Sequence, residues 1–220
     1  MDILIVHAHP ESRSFSSALK DTAADFFKSE NCNVVISDLY SMNFNPVGSP
    51  RDLKETSNKE YFEYQKEQLY GYKNNLFTDE IRTEMEKFSK ADLVIFNFPL
   101  WWFSLPAILK GWVDRVFAMG FAYGPGKGVY DTGTFRNKTS FLCITTGGAE
   151  FSYKENGVNG DIRKILFHIN HGMLNFVGMK VLPPFIVYGP VTLSEEEKKL
   201  KLNEYRNYLS LLDKIKPIFY

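Results

Sequence analysis

Short unbroken apolar runs alternate along this chain with longer segments whose apolar residues recur every three or four positions. Ile3–Val6 is apolar throughout, as a strand buried on both faces requires. A polar stretch follows, His9-Pro10-Glu11-Ser12-Arg13-Ser14. Phe15, Leu19, Ala23, Phe26 and Phe27 then mark one face of a helix over Phe15–Lys28. Val34-Val35-Ile36 predicts a second strand, and Leu39–Pro50, with its Asn, Pro, Gly and Ser, a loop. Arg51–Lys90 is charged, rich in tyrosine and poorly periodic, which predicts helix in pieces. Ala91–Phe98 is the clearest central strand. Leu105, Ile108, Leu109, Trp112, Val113, Val116 and Phe117 form an apolar helical stripe, with Pro106 tolerated in its first turn.

Gly120–Gly133 reads as a glycine-rich loop, Thr139–Thr145 as a fourth strand and 149–160 as loop. Asp161–Phe176 is expected to be one helix capped by Asp161. Met179–Val187 is expected as a fifth strand, weakened at Pro183-Pro184. Ser194-Glu195-Glu196-Glu197 starts a last helix. Alternating buried strands and amphipathic helices give one α/β domain over residues 1–220, a doubly wound parallel sheet with helices on both faces. Five strands suit the flavodoxin-like order 2-1-3-4-5. Ligands in such sheets bind beyond the strand carboxyl ends at the switch point. The loops at 7–16, 97–104 and 145–160 are therefore where a site is expected.

Composition narrows the possibilities. Lys plus Arg and Asp plus Glu are 26 each, so no polycationic surface points to nucleic acid. Hydrophobic residues at 44% exclude a disordered chain. No stretch has the roughly 18 apolar residues of a membrane span. The start, Met1–Val6, carries an acid and too short an apolar run for an export signal. With two cysteines, Cys32 and Cys143, and no disulfide framework, a reducing cytoplasmic location is expected. Aromatic residues reach 15%, and flat ligands are one reason for so many rings.

The three loops offer complementary chemistry. The first runs into a helix N-terminus, where free amides and the helix dipole favour an anion. Ser12, Ser14, Ser16, Arg13 and His9 add donors, although neither G-x-G-x-x-G nor a P-loop is present. The second, Phe98-Pro99-Leu100-Trp101-Trp102-Phe103-Ser104, puts three rings in a row after a strand; they cannot all face the core. A stacked flat ring or a dimer interface would cover them. The third, Thr145-Thr146-Gly147-Gly148, pairs hydroxyls with unencumbered backbone that a heteroaromatic edge can approach. Tyr153 follows at the same sheet end. A phosphate site, an aromatic shelf and a Thr/Gly edge together describe a flavin nucleotide site. His168 and His171 lie three apart on one helix face, but no third metal ligand accompanies them. His7 ends a buried strand and reads as structural.

Over essentially its whole length the chain resembles the NAD(P)H:quinone oxidoreductases of the DT-diaphorase type. The resemblance rests on ADLVIFNFPLWWFSLPAILKGWVDRVF at 91–117, SDLYSMNFNP and ITTGG. It looks like a short member, without the extended C-terminal region of longer animal enzymes. The resemblance implies a flavin, usually FAD with FMN the alternative, reduced by NAD(P)H through its N5. Hydride then passes in a two-electron step to a quinone or another flat acceptor. It implies a homodimer whose two sites are built from both chains.

By position, His9, Ser14, Phe15 and Ser16 match phosphate and ribityl contacts. Pro99, Leu100, Trp102 and Phe103 match the flavin shelf; Thr145, Thr146, Gly147 and Gly148 match contacts to the ring edge. Tyr153 matches a tyrosine beside the ring that supports charge on the reduced flavin. Tyr123 and Phe176 match substrate contacts, and Lys198 falls where an arginine often stands near the adenosine diphosphate. Asn159 replaces the histidine that animal members pair with that tyrosine. It can donate a hydrogen bond but carries no proton to exchange, so slower or pH-shifted hydride transfer is expected. Glu63 and Asn97 stand where glutamines are common. His171 matches one ligand of a relative's metal site, but Asn175 replaces the second and no late cysteine exists, so no metal is expected. The alternative on the same fold is a flavin-binding electron carrier or a redox-sensing accessory subunit of a membrane transporter.

Overall fold

The computed structural model describes residues 1–219. The strands are β1 (Asp2–His7), β2 (Asn33–Asp38), β3 (Leu93–Pro99), β4 (Thr139–Thr146), β5 (Lys180–Val181) and β6 (Phe185–Tyr188). All pairs are parallel, in the order β2-β1-β3-β4-β5, with β6 also pairing with β4. This is the expected flavodoxin-like sheet. The chain reverses direction of build between β1 and β3, which places the switch point above His7 and Pro99.

The expected fifth strand is two pieces. Pro183 and Pro184 have no N–H to give to the ladder, so pairing stops after Val181 and resumes at Phe185, opposite Cys143. The helices are α1 (Phe15–Ser29), α2 (Tyr64–Asn74), α3 (Asp79–Lys90), α4 (Ala107–Val116), α5 (Ile162–Ile165), α6 (Phe167–Ile169) and α7 (Glu195–Ser210). The single helix expected over Asp161–Phe176 is a correction too. Asp161 does cap it, accepting from the Arg163 amide at 2.9 Å. The helix then breaks at Leu166 and widens into a π-helical turn over Asn170–Asn175, with glycine at 172.

Two cores flank the sheet. One face packs Ile3, Ile5, Ile95, Phe141 and Cys143 against Leu19 and Phe27 of α1 and Tyr205 and Leu209 of α7. The opposite face packs Val94, Phe96 and Leu142 against Phe88 of α3 and Trp112 of α4. Phe88 meets Phe117 and Phe135 edge-on at 5.0 and 4.8 Å between ring centres. Phe96 and Trp112 join the same cluster. Much of the aromatic content is therefore core, which the flat-ligand reading of composition did not anticipate.

Segment 39–63 is tied down by buried charge. Arg115 on α4 donates to Asp52 at 3.0 Å, to the Asn45 carbonyl and to Glu80. Tyr64 gives its hydroxyl proton to the same Asp52 at 2.7 Å. The buried Glu67 carboxylate accepts from the Ser57 and Asn58 amides and the Ser57 hydroxyl.

Candidate active site

Three loops at the carboxyl ends of β1, β3 and β4 line one two-lobed cleft, completed by the entry to α7. The first lobe, about 540 Å³, is bounded by His9, Arg13, Ser14, Phe15, Ser16, Lys198, Lys199 and Leu202. The second, about 400 Å³, is bounded by Pro99, Leu100, Trp101, Trp102, Thr146 and Gly147. Thr145, Pro190 and Val191 belong to both.

The first lobe combines hydroxyls and free amides with charges of both signs, since Glu195 also lines it and holds Lys198 at 2.7 Å. Ser14 caps α1 by accepting from the Ser17 amide at 3.1 Å. The amides of Phe15 and Ser16 have no partner among the described residues, so they remain free donors beside the helix dipole. Ser16 and Thr145 share a hydroxyl hydrogen bond of 2.7 Å that joins this lobe to β4. His9 is held below its ordinary pKa, chiefly by burial.

The second lobe owes its shape to a strained turn. Trp101 and Ser104 exchange backbone hydrogen bonds at 3.2 and 3.0 Å. Between them Trp102 (φ +49°) and Phe103 (φ +59°) are both left-handed. Two positive φ angles in a two-residue turn are normally the province of Asn-Gly, and each bulky residue there costs on the order of 1–3 kcal/mol. The turn presents Trp102 to solvent at 94% exposure. Ser104 pairs with His168 at 3.0 Å, which pins the turn to α6.

On the facing loop, Gly147 has no neighbour within 4 Å of a would-be Cβ. Gly148 is different: a Cβ there would sit 3.2 Å from the Tyr153 ring and 3.5 Å from the Asn159 amide nitrogen. Tyr153 is buried, packs between Phe103 and Tyr188, and makes no side-chain hydrogen bond among the described residues. Its phenol is therefore free to donate to a ligand over Gly147-Gly148.

His9, Ser14, Phe15, Ser16, Pro99, Leu100, Trp102, Thr145, Thr146, Gly147 and Lys198 thus all line the cleft. Phe103, Gly148, Tyr153 and Asn159 form its flank. Tyr123 and Phe176 line neither lobe; they pack on each other at 6.2 Å, beside Tyr130. Arg13 and Trp101 line it as their loops predict, whereas Pro190, Val191, Lys199 and Leu202 were not anticipated. Pro190-Val191 immediately before the Ser194 cap is the signal that could have placed the α7 entry there. His171 is stacked on Phe167 at 4.7 Å, and no cluster of three metal-binding side chains occurs among the described residues.

A parallel sheet with a long polar-and-aromatic cleft at its switch point defines a protein of the flavodoxin-like class. Residues 1–209 match the family model described as Flavodoxin-like fold. The chain is 45% identical over 217 residues to the ribosyldihydronicotinamide dehydrogenase (quinone) of Pongo abelii, covering 98% of this chain and 94% of that one. It is 42% identical over 218 residues to NAD(P)H dehydrogenase (quinone) 1 of Rattus norvegicus, covering 99% and 79%. A crystal structure from Klebsiella pneumoniae, assigned as a quinone reductase, superposes with a TM-score of 0.96 at 37% identity, covering 99% of this chain and 87% of that one. The chain belongs to the NAD(P)H:quinone oxidoreductase family of flavodoxin-like fold and is an oxidoreductase. None of its helices is long and apolar enough to cross a membrane, among the described residues.

Proposed function

We propose that this chain is a flavin-dependent NAD(P)H:quinone oxidoreductase that holds FAD. The observation that carries this is the continuity of the two lobes through Thr145, Pro190 and Val191. A mononucleotide would need only the second lobe and the N-terminus of α1. The cleft continues past that point to Lys198, Lys199 and Leu202 on α7, room suited to an adenosine diphosphate, with Lys199 beside a Lys198 that Glu195 holds at 2.7 Å. The open space over Gly147 fits a flat ring edge, and the free Phe15 and Ser16 amides fit a phosphate.

When bound, the flavin supplies two-electron hydride transfer between a reduced nicotinamide and a quinone or similar flat acceptor. The chain's own residues do the rest. Trp102 and Phe103 shield one side of the second lobe. Tyr153 aims a buried phenol at the ring edge, where a fixed donor stabilises developing negative charge. Asn159 lies beside it as a proton-neutral donor. Tyr123 and Phe176, apart from the cleft in one chain, become substrate contacts in a homodimer whose partner presents them. Two free cysteines suit a reducing, cytoplasmic setting.

The reductant has two readings. The relative named for ribosyldihydronicotinamide is matched over 94% of its length, the one named for NAD(P)H over 79%. Steady-state turnover of a soluble quinone with NADH, NADPH and ribosyldihydronicotinamide in turn is the test. Two-electron turnover with at least one of them is expected. Flavin binding without turnover on any would instead support an electron carrier or transporter accessory subunit.

A further inference from the structure

His7 is 1% exposed at the end of β1 and lines neither lobe, yet hydrogen bonds lead from it to the cleft wall. Its Nδ1 meets Asn97 Oδ1 on β3. Its Nε2 meets Ser17 Oγ at 3.3 Å. Ser17 Oγ is 3.0 Å from Ser14 Oγ and 3.0 Å from the Glu11 carbonyl. Ser14 lines the first lobe.

We propose that His7 is a positioning residue whose protonation state sets, through Ser17, how readily the Ser14 hydroxyl donates into the anion end of the cleft. The Asn97 carbonyl oxygen accepts a proton from Nδ1, so a neutral ring has its lone pair at Nε2. Ser17 must then donate to Nε2, and its oxygen is left to accept from Ser14. The Ser14 proton is then drawn inward to Ser17, and Ser14 turns an oxygen lone pair to the cleft beside the Phe15 and Ser16 amides. An imidazolium, with its added proton taken from solvent, donates from Nε2 to Ser17. Ser17 then donates to the Glu11 carbonyl, and its oxygen, already holding the charged Nε2–H, is a weaker acceptor for Ser14, whose proton turns more readily to an anion. Asp38 from β2, Lys20 from α1 and His9 from the following loop are the charged or titratable groups facing His7. By reciprocity, an anion in the cleft must raise proton affinity at His7 by the same factor that protonation strengthens anion binding.

This rests on the reading that the first lobe holds the flavin's phosphates. The test measures FAD affinity between about pH 5.5 and pH 8, where the FAD pyrophosphate does not titrate, together with the His7 imidazole titration by NMR. Wild-type affinity is expected to tighten on the order of tenfold toward acid, and the His7 midpoint to rise by about one pH unit on FAD binding. Ser17→Ala keeps the histidine but breaks the relay; His7→Gln removes the titrating ring. Each should lose the His7 share of the pH slope and keep only that of His9. Equal slopes in wild type and both variants, or a His7 midpoint that FAD leaves unmoved, would overturn the proposal. If wild type binds no FAD, the flavin reading falls, and sulfate, a dianion throughout this range, still reads the relay. A His7 midpoint raised by sulfate in wild type but not in Ser17→Ala supports it; an unmoved midpoint rejects it.

Discussion

Trp102 and Phe103 show how a single turn can be sacrificed to a site. Both occupy left-handed backbone that Asn-Gly would adopt without strain. The double variant Trp102→Asn, Phe103→Gly should raise thermal stability by about 1 kcal/mol and weaken flavin binding, a trade measurable by melting and by FAD titration. Gly147 tests the same lobe from the other side. Its Cβ direction is open, so Gly147→Val should fold with unchanged stability. Its side chain would occupy the cleft, and FAD affinity should fall at least tenfold. Tyr153→Phe keeps the packing against Phe103 and Tyr188 and removes only the donor. Stopped-flow reduction of the bound flavin should slow about 10²-fold, as loss of one well-placed donor does. An unchanged rate would remove Tyr153 from the chemistry.

Among the elements, the segment from β2 to α3 depends on one buried ion cluster rather than on periodic packing. Arg115 and Asp52 are both 3% exposed, so removing the guanidinium leaves a carboxylate buried without its partner. Arg115→Met should therefore cost about 3–5 kcal/mol in denaturant unfolding. The helix in pieces expected over 51–90 is present as α2 and α3, and its poor periodicity reflects contacts that spacing does not encode: Asp52 with Arg115 and Tyr64, and Glu67 with the Ser57–Asn58 turn. Where one element satisfies itself locally, the residues announce it. The run at 91–98 and the stripe at 105–117 became β3 and α4 nearly as read. Pro183-Pro184 was legible as a weak point but not as a gap, because ladder register depends on β4. The π-helical turn at 170–175 left no comparable pattern. In the site, strand-end loops were readable from hydroxyl, glycine and aromatic residues. Pro190, Val191 and Leu202 were not, since they reach the cleft only once α7 packs on α1.

At the scale of the molecule, burial links the site to global stability. His7 sits below its ordinary value of 6.5, chiefly through desolvation, so the unfolded chain takes up its proton first. The stability due to the neutral ring is complete above pH 6.5 and is lost as pH falls through the lower folded value. The flavin-free protein should melt at progressively lower temperature as it is acidified through this range, and His7→Gln should flatten that part of the curve. The two buried cores hold the sheet's carboxyl end open as the two-lobed cleft, and the proposed activity depends on what fills it. The most direct test is the visible spectrum of the purified protein, with chromatography of any flavin released on denaturation. FAD is expected, retained or taken up on titration at one per chain. A colourless protein that gains no bound-flavin spectrum with either FAD or FMN would contradict the account.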